Sequence, residues 1–177
     1  PNAAVSEDAK RSAEKLNNEI VKASFEMGRA KTGALIVIEG KVALSEYERT
    51  GIPMDAIISS QLLVNIFEHN TPLHDGAVFI KDDRIVAATC YLPLTDNMSI
   101  SKDLGTRHRA GVGISEVSDS LTIIVSEETG SVSIAKGGSL TRNINHDQLK
   151  TLLAQMTPAL EDGKKISKLR GFLLNEK

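Results

Sequence analysis

Apolar residues recur at helical spacing in the first part of the chain. Leu16, Ile20, Ala23 and Met27 stand three or four residues apart among charged positions, which predicts a helix over 6–29. Ser6 reads as its N-cap, with Glu7 and Asp8 complementing the dipole in the first turn. Ala34-Leu35-Ile36-Val37-Ile38 is then an unbroken apolar run, the pattern of a strand buried on both faces. The stretch 47–53 has no period and reads as irregular, with Gly51 and Pro53 as breakers. Helical spacing returns over 59–68 through Leu62, Leu63, Ile66 and Phe67, and Asn70-Thr71-Pro72 breaks it.

Further along, 77–80 and 84–89 flank Lys81-Asp82-Asp83, which predicts a β-hairpin. A helix is expected from 103–106 to about 117. The run 121–126 reads as a strand, 127–130 as a turn and 131–135 as the returning strand, with Lys136-Gly137-Gly138 ending the hairpin. A last helix starts at Asn145 or His146 and passes through Leu149, Leu152, Leu153 and Met156 before Pro158 limits it. This order predicts an α/β fold: a single domain with a central mixed β-sheet flanked by helices. The domain is expected over 1–160. The lysine-rich stretch 161–177 reads as a loosely attached tail on which Leu169, Phe172 and Leu173 could dock.

Composition narrows the classes. A chain of 177 residues with 41% hydrophobic and 25% charged positions is ordinary for a globular domain. A formal net charge of -2 gives no bulk basic field for nucleic acid, and 3% aromatic content gives little to stack bases on. The single cysteine, Cys90, excludes an intrachain disulfide and a multi-cysteine zinc site. No apolar run approaches the ~18 residues of a membrane span. The chain begins at Pro1 rather than methionine, so it reads as an excised piece of a longer protein, with no membrane contact of its own.

Two stretches carry chemistry. In Leu73-His74-Asp75-Gly76-Ala77 a carboxylate and an imidazole meet where a polar loop enters a strand. They could bind a divalent cation or help deprotonate a hydroxyl, although Asp-Gly also makes ordinary turns. In Gly105-Thr106-Arg107-His108-Arg109 three basic residues crowd a helix start. That placement opposes the helix dipole unless an anion is bound there, and the free N–H groups of a first turn favour phosphate. Arg107 and Arg109 diverge by about 200° on a helix, so both cannot serve one ligand. Ser126 and Glu128 lie at a strand end, where active-site groups often sit, but on their own a plain hairpin turn is the favoured reading. No glycine-rich dinucleotide fingerprint, P-loop or Gly-x-Ser-x-Gly elbow is present.

Together these stretches resemble the signatures of diadenylate cyclase (DAC) domains. Thr32-Gly33-Ala34-Leu35-Ile36-Val37, Pro72-Leu73-His74-Asp75-Gly76-Ala77, Gly105-Thr106-Arg107-His108-Arg109-Ala110-Gly111 and Ser126-Glu127-Glu128-Thr129-Gly130 all follow the family pattern in order. The chain looks most like the membrane-anchored branch found in Gram-positive bacteria. The resemblance implies condensation of two ATP into cyclic di-AMP and two pyrophosphates. It implies a homodimer whose subunits face each other, dependence on Mn²⁺ or Mg²⁺ with Co²⁺ as an alternative, and regulation of the full-length enzyme by partner proteins. It implies a parent protein at the cytoplasmic face of the cell membrane. Carried over, Asp75 is the key carboxylate, and His74, Asp75 and Glu128 are metal ligands. Gly76 and Ala77 allow close approach of the nucleotide, and Tyr91 and Leu92 line its base or sugar pocket. Thr106, Arg107 and Ser126 hold phosphate oxygens, with His108 and Arg109 in support.

Overall fold

The structure, a computed structural model, describes residues 3–156. The expected tail at 161–177 and the domain boundary at 160 lie outside them. The described elements are α1 (Ala3–Ala30), β1 (Ala34–Ile38), α2 (Ser45–Glu48), β2 (Ile52–Ile57), α3 (Ser60–Ile66), β3 (Ala77–Lys81) and β4 (Arg84–Cys90). They continue with α4 (Thr106–Glu116), β5 (Leu121–Val125), β6 (Val132–Lys136), β7 (Ser139–Thr141) and α5 (His146–Met156). The α/β expectation holds: one seven-stranded mixed sheet runs in the order β2-β4-β3-β1-β5-β6-β7.

β1 is buried at every position, as its unbroken apolar run requires. Its alternate side chains feed two cores. Ile36 and Ile38 join Ile20, Met27, Leu63 and Leu153 beneath α1, α3 and α5. Leu35 and Val37 join Phe79, Cys90, Val112 and Ile114 on the face covered by α4. Each fully buried aliphatic side chain here contributes about 1.5–3 kcal/mol over an exposed one.

Several boundaries differ from the sequence reading. α1 begins at Ala3, so Ser6 lies within the helix range rather than at its start. The stretch read as irregular holds α2 and then β2. β2 is an edge strand, mostly exposed, so it carries no apolar alternation, and Pro53 is tolerated because an edge needs fewer ladder donors. Gly137 and Gly138, with φ of 57° and 80°, form a tight turn into a further short strand, β7, instead of closing the hairpin region.

Strand direction places the chemistry. β3 runs parallel to β1, with Ile36 opposite Val78, while β5 is antiparallel, with Ala34 opposite Val125. β4 is antiparallel to β3, with Ala77 opposite Cys90. The starts of β1 and β3 and the ends of β4 and β5 therefore share one end of the sheet.

Candidate active site

The loop entering β3 is held by its imidazole. His74 Nδ1 donates to the Thr71 carbonyl at 2.6 Å, since a carbonyl oxygen can only accept. With Nδ1 committed to the loop backbone, Nε2 is the ring nitrogen left toward Asp75, 3.4 Å from its Oδ1. The His74 side chain is 18% exposed and that of Asp75 is 87% exposed, so the carboxylate projects from a buried anchor. Gly76 follows at φ +79°, and a Cβ there would stand 2.8 Å from the Cys90 carbonyl oxygen. Only glycine fits both the backbone angle and the contact. Ala77 is fully buried in the core and supports this turn from below.

A cavity of about 320 Å³ opens beside the loop, lined by Thr50, Pro72, Asp75, Gly76, Thr89 and Tyr91. Tyr91 is 75% exposed, an unusual setting for a large ring, and its backbone N–H donates to Thr50 Oγ1 at 2.8 Å. Leu92 is half-buried against the core on the α4 face and is absent from the lining. Thr50 and Thr89 belong to this wall although no sequence pattern pointed to either. Thr89 takes φ 56°, a left-handed angle uncommon for a β-branched residue. Thr50 is joined to Tyr91 across 41 positions by one hydrogen bond.

The helix start lies at the same sheet end. Gly105 precedes α4 with no side-chain cap, so the first-turn N–H groups keep their capacity for an anion. Thr106 is exposed there. The Arg107 guanidinium lies flat on Gly33 at the start of β1: a Cβ on Gly33 would come within 2.5 Å of Nη1. Arg107 Nη1 also pairs with Glu127 Oε2 at 3.2 Å. This partner comes from the turn after β5, whose first residue, Ser126, accepts the Glu128 and Thr129 N–H groups on its hydroxyl, each at 3.2 Å. The Ser126 hydroxyl proton stays available to donate. Asp75-Gly76, Gly33 with Arg107, and Ser126-Glu127 thus occupy the ends of three adjacent strands.

The remaining motif residues take different places. His108 is buried, and burial, followed by the Arg142 charge, holds its imidazole below the usual range against the opposing pull of Asp103. It stays neutral and packs, which fits a supporting role. Arg109 is half-buried, and its backbone carbonyl accepts the Thr95 N–H at 3.1 Å. Glu128 is exposed on the β5–β6 turn. Among the described residues no three His, Cys, Asp or Glu side chains converge as a metal cluster, so Glu128 is not brought together with His74 and Asp75.

The fold and this rim define an α/β domain with an anion-ready sheet end. Residues 21–140 match the DAC family model, described as the DisA bacterial checkpoint controller nucleotide-binding domain. The chain belongs to the diadenylate cyclase (DAC) domain family. It is similar to the cyclic di-AMP synthase CdaA of Bacillus subtilis, 58% identical over 134 residues, which are 76% of this chain and 49% of that protein. A diadenylate cyclase of Listeria monocytogenes is 54% identical over the same shares. The chain spans about half the length of these relatives. A crystal structure of a double mutant of DacA from Staphylococcus aureus superposes with a TM-score of 0.80 at 51% identity, covering 82% of this chain and 97% of that one. A hypothetical membrane-spanning protein from Bacillus cereus superposes at 0.70 with 43% identity, covering 72% and 63%.

Proposed function

We propose that this chain is the catalytic domain of a diadenylate cyclase, which condenses two ATP into cyclic di-AMP and releases two pyrophosphates. The observation that carries this reading is the single sheet end where the His74–Asp75 pair and the Arg107-backed helix start flank β1. It is supported by 58% identity to a cyclic di-AMP synthase over the same domain.

Each subunit holds one ATP along the rim. The Tyr91 ring is free to lie against the base or sugar, and Gly76 lets the nucleotide approach the backbone. The phosphates lie toward the first turn of α4, where backbone N–H groups, Thr106, Arg107 and the Ser126 hydroxyl donate. Arg107 has donors to spare after pairing with Glu127. Asp75 acts on the 3′-hydroxyl. As that oxygen attacks the α-phosphorus of the ATP on the facing subunit, the O–H proton passes to the Asp75 carboxylate, the new O–P bond forms, and the bond to pyrophosphate breaks. The same step in the opposite direction closes the ring. A twofold homodimer supplies both directions from one kind of surface.

The donor set fits a divalent cation. The second imidazole nitrogen and a carboxylate oxygen stand 3.4 Å apart, a mixed donor pair for Mn²⁺ or Mg²⁺, with Co²⁺ as an alternative. His74 and Asp75 would hold it, while Glu128, exposed on the β5–β6 turn, does not meet them within one subunit. Such an ion supplies charge neutralisation at the phosphates and a lowered hydroxyl pKa.

In the parent protein we infer that this domain sits at the cytoplasmic face of the cell membrane and answers to regulatory protein partners. Among the described residues no helix is long and apolar enough to cross a membrane. The test of the activity is product mass after incubation of the chain with ATP and Mn²⁺ or Mg²⁺ at micromolar protein. Cyclic di-AMP and pyrophosphate are expected. Bound ATP with no cyclic dinucleotide would make the chain a nucleotide sensor instead.

A further inference from the structure

The face of the sheet under α2 holds two carboxyl groups that the reaction does not use. Glu39 follows β1 and is only 8% exposed, yet neither of its oxygens has a hydrogen-bond partner. Glu48, in the last turn of α2, has its Oε1 buried and equally unpartnered. Two such carboxylates cannot both stay ionised and unpaired in an apolar setting. One shared proton converts the mismatch into an O–H···O⁻ bond, with one group donating and the other accepting.

α2 also carries one wall of the nucleotide cavity. Directly after it, the Thr50 hydroxyl donates to the Tyr47 carbonyl at 2.6 Å and accepts the Tyr91 N–H at 2.8 Å. The Gly51 N–H donates to the Glu48 carbonyl at 3.1 Å, and the same carbonyl receives the Cys90 thiol at 3.6 Å. Gly51 is pressed onto β4, where a Cβ would meet the Ala88 carbonyl oxygen at 2.2 Å. The position of Thr50 is therefore set by how α2 sits on the sheet.

We infer that Glu39 and Glu48 share one proton, and that this carboxyl–carboxylate bond is a positioning device that seats α2 and, through Thr50, the Tyr91 wall of the nucleotide cavity. The charged and titratable groups facing the pair are Lys81 from β3 and Cys90 from β4. Burial and then Glu48 raise the Glu39 carboxyl to about 8, against the opposing Lys81 charge and the nearby Leu44 amide. Burial and then Glu48 push the Cys90 thiol up to about 12, so it stays neutral throughout. The folded pair keeps its proton to about 8, while an unfolded glutamate releases it near 4.5. The stability it contributes is full below 4.5 and is lost as the pH rises through about 8.

The use made of the pair rests on the cyclase reading, but its existence does not, so the test has two arms. The first is melting of the nucleotide-free chain at pH 5 and pH 9. Gln donates where a protonated Glu would, so Glu39→Gln is expected to match wild type at pH 5 and to melt roughly 5 °C higher at pH 9. A gain or loss of equal size at both pH values overturns the proposal. So does removal of the pH 9 difference by millimolar Mg²⁺ or Ca²⁺, which would make the pair a cation site. The second arm is the ATP dissociation constant, measured without turnover. It is expected to weaken about threefold or more from pH 7 to pH 9 in wild type, to stay flat in Glu39→Gln, and to be weak at both pH values in Glu39→Ala. Equal pH dependence in wild type and Glu39→Gln would sever the pair from the cavity. Absence of cyclic product would count against the cyclase reading and leave the melting arm intact.

Discussion

At the scale of single residues, the site separates a side chain that reaches out from those that hold it. Asp75 is 87% exposed and touches only His74 among its charged neighbours, so its charge contributes little to the fold. Asp75→Asn keeps the shape and removes the charge. Turnover is expected to fall by about 10²–10⁴-fold. Melting should change by no more than about 1 °C, and product assay with calorimetry checks both. Gly33 acts through its lack of a side chain. An added Cβ would meet the Arg107 guanidinium at 2.5–2.6 Å, which is the movable end of a flexible side chain. Gly33→Ala should therefore fold normally and weaken ATP binding about tenfold by displacing that fork, as read by titration calorimetry.

At the scale of elements, packing between backbones decides more than propensity does. α1 ends with Lys31 at φ 52° and the Thr32 N–H bonded back to the Met27 carbonyl at 2.8 Å. Just before this, Gly28 lies against Gly130 of the β5–β6 turn, where a Cβ would stand 2.6 Å from a backbone carbonyl. Neither partner can yield, so Gly28→Ala is expected to cost about 1–3 kcal/mol. A drop in melting temperature of roughly 3–10 °C would report it. Gly130, at φ +75°, completes the same contact. Nothing local in the sequence marks Gly28 for this contact, because its partner is about a hundred positions away.

The same reason divides what could be read beforehand from what could not. β1, the β3–β4 hairpin, β5 and β6 announced themselves because burial on one or both faces leaves a periodic trace. β2 left none, since an exposed edge strand asks nothing apolar of its residues. α2 is four residues long and shorter than any helical period. At the site, Arg107 stood out because basic residues at a helix start oppose the dipole, whereas Asp75 and Gly76 read locally as an ordinary turn and stood out only through the family resemblance. Thr50, Thr89 and Glu127 did not stand out, because each matters only through a neighbour brought in by the fold. Glu39 was hidden likewise, since a glutamate just after a strand is ordinary until its side chain proves buried and unpartnered.

At the scale of the whole molecule, Asp75-Gly76, Gly33 with Arg107 and Ser126-Glu127 lie at one sheet end, and one subunit offers one rim. If each bond is made between facing rims, activity per subunit must depend on how often subunits meet. Specific activity is expected to rise with protein concentration and level off once the pairing saturates, in a dilution series followed by product formation. A value constant from micromolar to nanomolar protein, with a monomer shown by sedimentation at the low end, would remove the dimer from the mechanism.

The outward reach of Asp75 has one more consequence. If each of two facing subunits makes one of the two bonds, disabling one half leaves the ring half made. A mixed pair of one intact and one Asp75→Asn subunit should join its two nucleotides once and stop. Wild-type chain diluted into a large excess of the variant should then release an open, linear dinucleotide that still carries a triphosphate, along with a single pyrophosphate. Mass spectrometry distinguishes that species from the ring at once.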